Sequence, residues 1–305
     1  MTTSYRLKIA HPLEAPPGPH LHTPGSSSAW IWGRSFALLP AWLVSFVCFG
    51  QSAFWMVAAI AASASAFEHF FQNMLHRKNL IQHKISFLNA TLLAFLLPPN
   101  FPLHFVILGA FFVVIFGREL LGRLGEHLLH PVFTSYVFLM IIFPEAFSRS
   151  AQAPVALCDP RQLQETWYYF LGSPKNVVDG AMMLAFALGG GILIARKRLP
   201  WEIPFFYLAT LGLIAAHVDS LSIRTVCSSS FFYGGFFLLT NLMTVPVNQD
   251  ARSVFGISSA IFSALFLIWT QDAPTSIVFS GLLMNVLTPA LEQNLRRDQS
   301  KIRFQ

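Results

Sequence analysis

Charge is scarce in this sequence. Of 305 residues, 20 are Lys or Arg and 14 are Asp or Glu, 11% in all. Soluble domains carry about 25%. A surface so poor in charge cannot keep this chain in water, because 54% of its residues are hydrophobic and its mean hydropathy is +0.55. Cysteine is scarcer still. Cys48, Cys158 and Cys227 have no Cys-x-x-Cys spacing, which excludes an iron–sulfur or zinc site built by this chain alone. Spacing leaves a disulfide between Cys158 and Cys227 open. There is no nucleophile arrangement, no phosphate-cradling glycine loop and no pair of catalytic acids, so nothing points to hydrolysis. The first 28 residues lack the apolar core and cleavage site of a secretory signal and read as a retained cytoplasmic tail. The net charge of +6 does not indicate nucleic acid, because the basic residues fall in short loops between apolar runs, as membrane topology dictates.

What the sequence has is apolar runs, nearly end to end. A spanning helix needs about 20 mostly apolar residues. The runs fall at roughly 35–50, 52–72, 85–97, 102–121, 128–147, 175–195, 202–217, 229–245, 254–270 and 274–292. With the N-terminus inside, alternation leaves only Arg149, Arg161, Lys175 and Arg224 outside. The other sixteen of the twenty basic residues, Arg34 among them, fall inside. The expected fold is therefore an all-α polytopic membrane protein of about ten transmembrane helices. They divide into two five-helix sets, residues 29–147 and 175–293, joined by an outer loop at 148–174 and flanked by cytoplasmic tails at 1–28 and 294–305. An odd number of spans per set makes the second set an inverted repeat of the first.

The third run of each set is broken. The first reads SFLNATLLAFLLPPNFP from residue 86, and the second reads SSSFFYGGFFLLTNLMTVP from residue 228. Interrupted segments at matching places in two halves point to a midplane site, since broken backbone at that depth must be covered by protein or line a cavity. The ends of the two segments are expected to frame that site. Asn89, Thr91, Asn241 and Thr244 lie on them and could hydrogen-bond a flavin edge, a quinone carbonyl or freed backbone groups. Asp179 begins an apolar helix, where an acid either serves an ion path or complements the helix dipole. Asn285 either bridges helices or touches a ligand. Glu68, His69, His76, His83, His127 and His130 crowd the inner side and read as interfacial, solvated groups rather than metal or haem ligands.

Several short patterns, in order, resemble the NqrB/RnfD family. Pro19-His20-Leu21-His22 and Ala37-Leu38-Leu39-Pro40-Ala41 are similar to its entry and first helix, and Leu97-Pro98-Pro99 to the end of its third. Phe116-Gly117-Arg118-Glu119 and Gly122-Arg123-Leu124-Gly125 resemble its cytoplasmic turn. Trp201-Glu202-Ile203-Pro204, Thr240 with Thr244 and Pro246, and Leu282-Leu283-Met284-Asn285 with Pro289 and Glu292 follow in step. The resemblance runs from about residue 19 to 293.

It implies a multi-pass subunit of the cytoplasmic (inner) membrane, with both termini in the cytoplasm. Its partners would be the other membrane subunits of an Rnf/Nqr-type electron transport complex. Flavin- or quinone-linked electron transfer would be coupled to ion translocation, and Gly122 and Gly125 would stand at the turn associated with a quinone. Asp179 would stand for a family glutamate that follows a Gly-Ser turn. The departures matter too. The family's Ser-Gly-Ala-Thr, whose threonine carries FMN covalently, is absent; Thr166 sits in Gln-Glu-Thr-Trp instead. Non-covalent flavin (FMN or riboflavin) or quinone is expected, without covalent FMN. The family's Asp-Pro in the second broken segment becomes Asn241-Leu242. Two other readings stay open: a cofactor-free assembly subunit, and a small-solute channel of ammonium- or urea-channel-like architecture.

Overall fold

The computed structural model describes residues 27–74, 76, 80–98, 101–117, 129–152, 174–218, 228–241, 244–246 and 248–302. Among them there is helix and no strand. The first part holds α1 (Ser27–Ala37), α2 (Leu39–Met74), α3 (Leu80–Leu96), α4 (Leu103–Ile115), α5 (Pro131–Ile142) and α6 (Pro144–Gln152). The second holds α7 (Pro174–Ala195), α8 (Glu202–His217), α9 (Ser229–Tyr233) with a π turn at Gly234–Leu238, α10 (Gln249–Thr270) and α11 (Ala273–Ile302).

Among the described residues, five stretches are long and apolar enough to cross a membrane: Ser28–Gln51, Ala53–Met74, Val178–Ala195, Gln249–Thr270 and Ala273–Gln293. Leu103–Ile115, Pro131–Ile142 and Glu202–His217 are shorter apolar helices. The outer face is oily, with Leu43, Val47, Trp55, Ile141, Leu188, Leu213 and Trp269 all exposed. The burial of large apolar side chains is thus as incomplete as lipid contact allows and water forbids. This is a multi-pass membrane protein.

Local sequence explains the boundaries. α2 is two helices meeting at Gly50, whose φ of 69° and ψ of −154° suit only a residue without Cβ. α5 begins at Pro131, where a missing N–H costs nothing, and His130 Nδ1 accepts from the Val132 N–H as its cap. α10 starts under Asn248, which accepts from Asp250 N–H, and stops at Gln271 in the left-handed region. α11 continues as helix through the polar sequence to Ile302.

Helix pairs recur between the two parts. In the first, α1 packs on α3, α2 on α3 and α4, and α5 on α3 and α4; in the second, α7 packs on α9, α8 on α9 and α10, and α11 on α9 and α10. Across the parts, α7 meets α1 and α2, and α11 meets α5. Glycine makes both crossings close. A Cβ at Gly189 would overlap the Ala37 carbonyl oxygen, and one at Gly281 would overlap the Phe133 ring.

Candidate functional site

The second interrupted segment is held at both ends by side chains from elsewhere in the chain. At its start, Ser228 is extended and gives no side-chain cap. Asp179 of α7 supplies one instead, its Oδ1 accepting from Ser229 N–H at 2.9 Å and from the Ser229 hydroxyl. After one α turn the backbone widens to π geometry at Gly234-Gly235, with Leu239 N–H donating to Gly234 O at 2.9 Å. Such π turns favour functional sites.

At its end, Arg34 of α1 reaches in from the other part. Its guanidinium donates to Phe237 O at 2.8 Å, Thr240 O at 3.1 Å and Thr240 Oγ1 at 2.6 Å, over the Trp30 ring at 4.8 Å. A cation at the C-terminal carbonyls and a carboxylate at the first amides both complement the segment's dipole. His130 stands beside Arg34's end of the segment. Its Nε2 lies 2.7 Å from the side-chain amide nitrogen of Asn241. Turned so that its oxygen meets the donor, the Asn285 amide accepts from His130 N–H at 3.1 Å and donates to Gly281 O at 3.2 Å.

The two interrupted segments touch directly. Tyr233 Oη donates to Leu92 O at 2.6 Å, a bond between residues 141 apart in sequence. Phe95, Phe186, Tyr233 and Phe237 cluster around it, with centroids 4.7 Å apart for Phe186 and Tyr233 and 5.5 Å for Phe95 and Phe186. Beside this cluster lies a cavity of about 300 Å³. The end of α3, Ala94–Leu97, forms one wall, and the start of α9, Ser229–Tyr233, another. Phe49, Phe95, Phe186 and Tyr233 give it flat apolar surface; Ser45, Asp179, Ser229 and Ser230 give it polar edges. This composition fits a planar heterocycle with polar rims, at the small end of ligand pockets.

The expected site residues fall in three places. Asp179 lines the cavity. Asn241 and Thr244 lie at the far end of the segment, Thr244 O accepting from Thr288 Oγ1 at 3.3 Å. Asn89 and Thr91 are buried within α3, where Thr91 Oγ1 donates to Leu88 O at 2.7 Å. Gly122, Gly125, Thr166, Cys158, Cys227 and His127 lie outside the described residues.

Two inferences from sequence need correction. Arg34, counted with the solvated inner loops, is 2% exposed, because helix-end carbonyls hold it inside. Glu68 and His130, grouped with interfacial residues, are each 0% exposed, because Gln72 and Ser86 bond the one and a helix start the other. Sequence reasoning also passed over Tyr233 and Arg34 as site residues. An arginine six residues before Pro40, at the start of an apolar run, was the available signal.

Spanning helices with an oily exterior, a polar lock and an aromatic-walled cavity between the third segments define a multi-pass integral membrane protein with an internal cavity. The model of the NQR2, RnfD, RnfE family matches residues 15–301, and the chain belongs to that family. It is similar to the D-type subunit of the proton-translocating ferredoxin:NAD(+) oxidoreductase complex of Clostridium ljungdahlii, 25% identical across 90% of this chain and 92% of that one. It is 27% identical to the Na(+)-translocating counterpart of Acetobacterium woodii, across 90% and 91%. It is also 27% identical to the D-type subunit of the ion-translocating oxidoreductase complex of Methanosarcina acetivorans, across 90% and 93%.

Proposed function

We propose that this chain is the D-type membrane subunit of an Rnf-type electron transport complex, working with the complex's other subunits to couple electron transfer to ion translocation. The observation that carries this is near-full-length similarity to subunits of that type from three organisms. In this reading the chain is a pair of inverted five-helix bundles, residues 29–147 and 175–293, in the cytoplasmic membrane with both tails inside. The recurrence of helix pairings between the two parts supports that reading.

The cavity between α3 and α9 takes a flavin (FMN or riboflavin) or quinone ring without a covalent bond. When bound, that group supplies one-electron chemistry. The protein's residues do the rest. Phe95, Phe186 and Tyr233 give the ring a low-polarity wall; Ser45, Ser229 and Ser230 orient its polar edge; Asp179 fixes the mouth by holding Ser229. Asn241 and Thr244 brace the segment from its far end, and Asn89 and Thr91 support it from α3. By the family resemblance, Gly122 and Gly125 take part in contact with a partner or quinone.

The test is an absorbance spectrum of the protein extracted mildly with its complex, followed by in-gel fluorescence. Flavin or quinone that leaves on denaturation is the expected result. A fluorescent band surviving SDS overturns the non-covalent assignment. Full absence of both cofactors, with electron transfer by the complex intact, favours a cofactor-free assembly role. Ammonium or urea flux without an electron donor would favour a channel.

A further inference from the structure

A second cavity, of about 270 Å³, lies among α1, α2 and α3. Trp32 and Ser35 of α1, Ser65 of α2, and His83, Lys84 and Phe87 of α3 line it. It sits toward the end of the bundle where α1 and α3 begin, at Ser27 and Leu80, and where α2 ends, at Met74. With the tails inside, as proposed above, that end belongs to the inner leaflet. Ser65 comes nine residues before Met74, so the cavity reaches roughly 14 Å in from the helix end at 1.5 Å per residue. The Trp32 ring lies 5.8 Å from that of Phe36 and 6.2 Å from that of Phe87. Trp32 and Phe36 are both exposed, so the aromatic wall of the cavity continues onto the lipid-facing surface.

Lys84 is the cavity's fixed charge. Its Nζ donates to Ser28 Oγ at 2.5 Å, its one partner among the described residues, and no described carboxylate lines the space. Glu68, one turn along α2 from Ser65, is bonded to Gln72 and Ser86. Lys84 gains nothing from its own helix, because it stands near the N-terminus of α3, where the dipole disfavours a cation. α1 begins at the same end. Two positive helix ends and an ammonium thus converge on a space without an acid. Phe87 lies one turn deeper than Lys84, so the positive rim stands above an apolar wall. A phosphate diester at the rim supplies the missing charge, and an acyl chain covers the rings below it.

We propose that this cavity holds one anionic phospholipid, its phosphate on Lys84 and His83 and an acyl chain along Trp32 and Phe87. A zwitterionic lipid offers the same chain, but its own cation competes with Lys84, so the headgroup decides the occupant. The lipid ties α1 to α3 where their side chains leave a gap. Only the leaflet, not the ligand, depends on the proposed orientation.

Tryptophan quenching in bilayers tests it on the full-length chain. The protein is reconstituted in phosphatidylcholine with a minor fraction of lipid brominated on its acyl chains, either phosphatidylglycerol or phosphatidylcholine. The difference between the unaltered protein and Trp32→Phe isolates the quenching of Trp32. Brominated phosphatidylglycerol should quench Trp32 at roughly fivefold lower content than brominated phosphatidylcholine, the preference expected of one cation near a membrane surface. Lys84→Gln should abolish that preference and Lys84→Arg should keep it. Excess inorganic phosphate should leave the quenching unchanged. Equal quenching by the two lipids, a preference that survives Lys84→Gln, or displacement by inorganic phosphate each overturns the inference. Should Lys84→Gln fail to fold, the comparison of the two lipids on the unaltered protein still decides. None of these readings involves electron transfer, so their failure leaves the proposed function standing, and a failure of that function leaves the lipid site standing.

Discussion

The two interrupted segments solve one problem in different ways. The first is an ordinary α-helix of 17 residues that ends by turning at Pro98, where Phe101 N–H reaches back to Pro98 O. Its needs are met locally. The second has five α residues and a π turn, and its ends are met by Asp179, Arg34 and His130 from distant parts of the chain. A segment satisfied locally can form early and alone. A segment satisfied by remote side chains exists only in the assembled bundle, so it reports on assembly and can bind a ligand at the junction it creates.

Substitutions can break or sharpen this contrast. The largest effect is expected at Arg34. Arg34→Ala leaves the carbonyls of Phe237 and Thr240 without their donor and should destabilise the protein by roughly 3–5 kcal/mol, read as a fall in thermal midpoint in detergent. Gly189→Ala comes next, since its methyl would force α7 off the Ala37 backbone, at about 1–3 kcal/mol in the same assay. Tyr233→Phe keeps the ring and loses only the bond to Leu92 O, costing about 1 kcal/mol; cofactor retention should be nearly unchanged. Asp179→Ala removes the amide cap of the second segment, also near 1 kcal/mol, and should additionally loosen cofactor binding in a titration. Gly191→Ala meets no neighbouring atom and should be neutral or stabilising by up to about 1 kcal/mol. A Gly191→Ala protein as damaged as Gly189→Ala would mean that the crossing is not where the close approach places it.

Helix positions were legible because spanning length and apolar runs coincide. The run at 202–217 became Glu202–His217, and 175–195 became Pro174–Ala195. The interruption of the second third segment was legible from Gly234-Gly235, and the end of the first, itself an unbroken helix, from Pro98. Ends were less so. The apolar run from 254 begins as helix at Gln249 because Asn248 caps a polar first turn that hydropathy ignores. The partners of the second segment were not legible at all. Arg34 is 206 residues from Thr240, and no periodicity links a side chain to carbonyls that far along the chain. Charge counting treated Arg34 as solvated because loops and helix interiors look alike when a basic residue stands near the start of an apolar run.

That separation bears on biogenesis. Arg34 enters the bilayer with the first span, yet its acceptors Phe237 and Thr240 are made some two hundred residues later. At about 5–20 residues per second, the ribosome needs on the order of ten to forty seconds to supply them. Through that interval the guanidinium must be sheltered by an insertase or by lipid phosphates, so the nascent chain depends on the insertion machinery at a moment set by translation speed.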